Sequence, residues 1–149
     1  MSILVLLIIL LILSLFLRYY LVFTFKQRCI SRYVSIPHHS LPHRVVVSIP
    51  VRKNDINKLP TLLTSLLTQS IRVDEIALNM ASDISKEDIT DMDFISKCAM
   101  IYYTGKEYSQ VDLAIIPTLL REKEADTLII VIYPDEILDR DHLQRVINQ

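Results

Sequence analysis

Residues 44–80 read RVVVSIPVRKNDINKLPTLLTSLLTQSIRVDEIALNM, and this stretch decides the fold class. Arg44 to Pro50 is a short β-branched run, the pattern of a buried strand. A polar loop follows it. Leu59, Leu62, Leu63, Leu66 and Leu67 then recur at i, i+3, i+4, i+7 and i+8, the stripe of an amphipathic helix that lays one face on a sheet. VDEIALNM, 73–80, predicts a second strand. A strand, a helix and a strand in this order describe a right-handed crossover between parallel neighbours.

The same alternation continues to the C-terminus. SKEDITDMDF, 85–94, is polar with weak helical character, and KCAMIYY, 97–103, predicts a third strand. QVDLAIIPTLLREKEAD, 110–126, is apolar on one side and predicts a helix that Pro117 kinks or starts. TLIIVIY, 127–133, predicts a fourth strand, and RDHLQRVI opens a last helix with Leu143, Val146 and Ile147 inward. The expectation is an α/β body over 44–149. In such sheets ligands sit beyond the carboxyl ends of the strands, where strand order reverses. That places three loops together: 50–57, 79–83 and 133–141.

Ahead of the body lies ILVLLIILLILSLFL, 3–17, with no charge, and RYYLVFTF extends the apolar segment to Phe25. A bilayer needs roughly 20 such residues in helix, so 3–25 predicts a transmembrane helix acting as a signal anchor. A cleaved signal peptide is the alternative, but the segment has neither a basic start nor a small-residue cleavage site. Arg18, Lys26, Arg28 and Arg32 lie in or after the span and no Lys or Arg precedes it, which predicts a single-pass membrane protein with a cytosolic body. Residues 26–43, with two prolines and three histidines, predict a juxtamembrane linker. His38, His39 and His43 are close enough in sequence to suggest a metal site, yet their spacing and Pro42 suit a solvated linker better.

Composition excludes several classes. A net charge of −1 leaves no electrostatic footprint for nucleic acid. Cys29 and Cys98 make no disulfide framework. Gly105 is the only glycine, so neither a dinucleotide fingerprint nor a P-loop can form. A phosphate ligand would have to be held by side chains or through a bound cation.

Two blocks carry a resemblance to a known family. VVVSIPVRKNDINKLPTLLTSLLTQSIRVDEIALNM, 45–80, and AIIPTLLREKEADTLIIVIYPDEIL, 114–138, resemble the nucleotide-sugar-binding half of GT-A type glycosyltransferases. The resemblance implies a Rossmann-like, mainly parallel sheet and donor binding by Pro50, Arg52, Asp135 and Glu136. It also implies Mn²⁺ or Mg²⁺ held by Asp135 and Glu136, which match the second and third members of the family's acidic cluster. The first member falls on Pro134, whose side chain has no ligand atom, and a lysine common in the family falls on Ala114. Without the family, YPDE is a proline-initiated turn with solvated acids.

A cation bridging diphosphate oxygens stabilises the charge that develops on the leaving group, so the lost carboxylate bears on turnover more than on fold. The acceptor half and general base of such enzymes find no counterpart in the motifs. Three readings follow. The chain is a membrane-anchored, glycosyltransferase-like protein that is weak or inactive alone, a non-catalytic interaction module, or the donor half of a split enzyme completed by a second subunit carrying the acceptor part.

Overall fold

The computed structural model describes residues 3–89 and 91–149. A helix α1 (Ile3–Ser35) leads into β1 (Val45–Val51), a 3-10 turn over Lys53–Lys58 and α2 (Leu59–Leu67). Then come β2 (Glu75–Met80), α3 (Met92–Cys98), β3 (Met100–Tyr103), α4 (Gln110–Arg121), β4 (Leu128–Val131) and α5 (His142–Ile147). The four strands form one parallel sheet in the order β3-β2-β1-β4. Strand order therefore reverses between β1 and β4, and all carboxyl ends lie on one edge.

Strand period sorts the two faces of the sheet. Val45, Val47, Ile49 and Val51 of β1 join Ile76, Leu78 and Met80 of β2 in the main core with the leucine stripe of α2. This stripe is Leu59, Leu62, Leu63, Leu66 and Leu67, none more than 1% exposed. Leu143 and Ile147 of α5 join the same cluster. The opposite face presents Ser48 and Asn79, both fully buried and hydrogen-bonded to α4.

Pro117 lies inside α4, not at its start. It cannot donate to the Leu113 carbonyl one turn back, and the Asn79 side-chain amide donates there instead, at 3.2 Å. Ser48 Oγ donates to the Ala114 carbonyl at 2.6 Å and lies 2.8 Å from Thr118 Oγ1. The helix is thus tied to the sheet by the two polar residues of the strands beneath it.

α1 is long and apolar enough to cross a membrane, with a mean hydropathy of 2.6 over its most apolar window, none of it buried. It does not end at Phe25. The helix continues through residues assigned from sequence to the linker, as far as Ser35, because their spacing gives one face to the body. Cys29 is buried, and Ile30 and Tyr33 pack on the core. Lys26 Nζ meets Asp91 Oδ2 at 2.8 Å, and Tyr33 Oη accepts from Val73 N at 3.3 Å. Asp91, with φ +61°, takes the left-handed conformation at the start of α3. The helical residues of 85–94 begin later than the polar pattern suggests, at Met92, after a short 3-10 turn over Lys86–Asp88; Thr90 lies outside the described residues.

Candidate functional site

Parallel pairing puts the loops after β1, β2 and β4 on one edge, as the alternation of elements requires. Pro50 is inside β1, buried and paired with Asn79, so it shapes the edge and offers no ligand atom. Arg52 follows the strand directly. Its backbone is extended, and its carbonyl accepts from Asp55 N at 2.8 Å, which opens the 3-10 turn. The Arg52 side chain is exposed and lines a cavity of about 510 Å³ with Lys53, Ser82, Asp83 and Tyr108.

The cations near this edge are not equivalent. Lys53 pairs with Asp88 at 3.3 Å and Lys58 with Asp55 at 2.9 Å. No ion pair engages Arg52 among the described residues. Its guanidinium is thus available to an anion, and its planar fork suits phosphate oxygens.

Asp135 and Glu136 differ as well. The Glu136 amide donates to the Tyr133 carbonyl at 3.1 Å, closing a turn with Pro134 and Asp135 at its centre. Pro134 is buried and presets this turn. The Glu136 carboxylate folds back to accept from Tyr133 N, also at 3.1 Å. Glu136 is therefore engaged in its own turn, whereas Asp135 is exposed. Asp135 lines a second cavity of about 410 Å³ with Gln110, Val111, Tyr133 and Glu136. Lys58 has its ammonium held above the ordinary value by its hydrogen bond to Asp55, and the Asp135 charge adds to this.

The edge accordingly brings Arg52 and Asp135 to the same end of the sheet but into two separate cavities. One free carboxylate can share a Mg²⁺ or Mn²⁺ ion with phosphate oxygens and water, since these ions are commonly held by one or two carboxylates. Two carboxylates on one ion would require Glu136 to leave Tyr133. Ala114, where the family resemblance implies a lysine, is fully buried against β1 and adds no charge.

Sequence reasoning did not single out the polar network under α4. Arg121 Nη1 donates to Asn79 Oδ1 at 3.0 Å, and its guanidinium lies 3.4 Å from the centroid of the Tyr102 ring. Tyr102 in turn donates to Glu75 at 2.8 Å, and Arg44 joins Glu75 to Glu122. The signal available was a serine and an asparagine at core registers of two apolar strands, together with a proline inside the helix that covers them. Comparison with family models, with curated proteins and with solved structures finds no match to this chain.

Proposed function

We propose that the body is a Rossmann-like, GT-A-like nucleotide-sugar-binding half, anchored to a membrane by α1 and facing the cytosol. In this reading it binds a nucleoside diphosphate weakly and transfers no sugar by itself. The observation that carries the reading is the unpaired Arg52 at the carboxyl edge of β1, beside the point where strand order reverses. The family-like segments supply the donor class, and the edge supplies one cation and one free acid suited to it.

Arg52 would hold diphosphate oxygens, and Asp135 would share a Mn²⁺ or Mg²⁺ ion with them. When bound, such an ion neutralises charge on the diphosphate as the glycosidic bond breaks. The chain's own contribution is positioning: Arg52 stands exposed at the end of β1, and the Tyr133–Glu136 turn presents Asp135. Pro134 and the engaged Glu136 support weak binding and argue against turnover. They also favour the alternative of a non-catalytic interaction module, while a second subunit carrying the acceptor half would make the chain one part of a split enzyme.

Calorimetric titration of the full chain in detergent micelles with UDP and GDP, with and without Mn²⁺, tests donor binding. The full chain is needed because Cys29, Ile30 and Tyr33 of α1 belong to the core or pack on it. Orientation is tested separately with glycosylation tags at the N-terminus and after Gln149. The expected result is modification at the N-terminus alone.

A further inference from the structure

His38 and His39 leave the solvated linker and close on one carboxylate of the body. Backbone pairing sets this up: Arg72 N donates to the Pro37 carbonyl at 3.0 Å and His39 N to the Arg72 carbonyl at 3.1 Å, a short parallel bridge. The two imidazoles then approach Asp74. His39 Nε2 lies 2.7 Å from Oδ2, and His38 Nε2 lies 3.3 Å from Oδ1. One ligand atom from each of the three residues lies within 4.8 Å of the others. His43, grouped with these histidines on sequence, instead sits 4.0 Å from Asp126.

We propose that His38, His39 and Asp74 form a Zn²⁺ site that staples the segment after α1 to the entry of β2. Zinc–ligand bonds of about 2.0–2.2 Å in a tetrahedron put neighbouring ligand atoms about 3.3 Å apart. His38 Nε2 already has that separation from Oδ1 of Asp74, and with one ligand atom from each residue within 4.8 Å of the others, small side-chain shifts bring His39 into the same coordination shell. The proton balance also works. Nε2 of neutral His39 gives up its proton to Nδ1 and binds through the freed lone pair, with no net proton released. In the metal-free clamp Nε2–H donates to Asp74, and binding moves that proton to Nδ1, which is buried without an acceptor among the described residues, a cost that the Zn–N bond offsets.

Asp74 keeps an oxygen for Val45 N, at 2.7 Å, and that bond orients the carboxylate as an outer-shell contact would. The neighbouring Arg72 guanidinium donates to the Val34 carbonyl, at 3.2 Å. His38 and Asp74 border a cavity of about 310 Å³, through which water can reach the fourth position. Two imidazoles and one carboxylate favour Zn²⁺ over the hard ions Mg²⁺ and Mn²⁺, which separates this site from the one at the carboxyl edge.

The test uses the full, untagged chain in detergent micelles, titrated with Zn²⁺ by calorimetry and with Co²⁺ by visible absorption. The expected result is one Zn²⁺ per chain at micromolar affinity and a tetrahedral Co²⁺ spectrum. His38→Ala removes an exposed ring, and Asp74→Asn retains an oxygen for Val45 N; each should weaken binding roughly tenfold or more. His43→Ala and His142→Ala should leave it unchanged. Absence of binding at micromolar Zn²⁺, or binding that survives both His38→Ala and Asp74→Asn, would overturn the proposal and leave the trio as a hydrogen-bonded clamp alone.

Discussion

Asn79 donates a hydrogen bond to the carbonyl of Leu113, the group that Pro117 leaves without its helical partner. The same amide lies 2.9 Å from Ser48 Oγ and 3.0 Å from Thr118 Oγ1, and Arg121 donates to its oxygen. One side chain thus satisfies a helix, a strand and a guanidinium in a site closed to water. Removing it strands several buried polar groups at once, so Asn79→Ala should cost about 2–3 kcal/mol in urea unfolding. In a Pro117→Ala background the Leu113 carbonyl regains its helical donor. The cost of Asn79→Ala should then fall by roughly 1 kcal/mol, a coupling that a double-mutant cycle reads directly.

How far the sequence disclosed this arrangement depends on the kind of signal. The strands at 45–51, 75–80 and 128–131 and the helix at 59–67 follow from period and β-branching, which are local properties. The network under α4 joins residues more than thirty positions apart, such as Asn79 and Leu113, and no local pattern encodes such pairing. The same holds for His38, His39 and Asp74: the histidines were visible as a group, but their partner lies 35 residues on from His39. At the carboxyl edge, YPDE admitted both an acidic cluster and a proline turn. The fold makes the turn and leaves Asp135 outward, because the Glu136 side chain satisfies Tyr133 N.

The docking of α1 gives a prediction about truncation. Burial pushes the Cys98 thiol up to about 11, with Cys29 adding to the effect. A chain beginning at Lys26 keeps Cys29, Ile30 and Tyr33 and should retain slow thiol modification at pH 8 and cooperative unfolding. A chain beginning at Ile36 uncovers that part of the core, so Cys98 should react much faster and the unfolding midpoint should drop. Equal thiol rates in the two chains would show that α1 contributes nothing to the body.

Acid sensitivity follows from Asp74. Burial pushes its carboxyl upward, but the Val45 N–H, the His39 hydrogen bond and the charges of His38 and His39 outweigh this and hold it below 3.8, its ordinary value. A carboxyl lowered in the folded state stabilises above its unfolded value, and that contribution is lost as pH falls through the folded one. Wild-type stability should therefore decline from about pH 4 downward through this group. Asp74→Asn should show a shallower decline over the same range in pH-dependent urea midpoints.

The turn at Tyr133–Glu136 separates a structural acid, Glu136, from Asp135, the acid proposed to share the ion. Glu136→Gln keeps an oxygen for Tyr133 N and should leave stability and Mn²⁺ response unchanged, whereas Glu136→Ala should cost about 1 kcal/mol of stability. Asp135→Ala should spare stability and remove the Mn²⁺ dependence of nucleotide binding. Pro134→Asp adds a hard oxygen ligand next to Asp135 and should strengthen that dependence. Calorimetric titrations of the four variants with Mn²⁺ and a nucleoside diphosphate distinguish these outcomes.

The proposed role of Arg52, as the cation that would hold a diphosphate at a degenerate donor site, is the central point to test. Its most direct measurement is titration of the full chain and of Arg52→Ala with UDP and GDP in the presence of Mn²⁺. The predicted result for the wild type is a sub-millimolar to millimolar dissociation constant, a binding free energy of about −4 to −5 kcal/mol, with no sugar released from a nucleotide-sugar donor. Arg52→Ala should weaken it at least about fivefold, the loss of a charge-assisted contact. Affinity unchanged in Arg52→Ala, or tight donor binding with hydrolysis that both Asp135→Ala and Glu136→Ala abolish, would contradict the account.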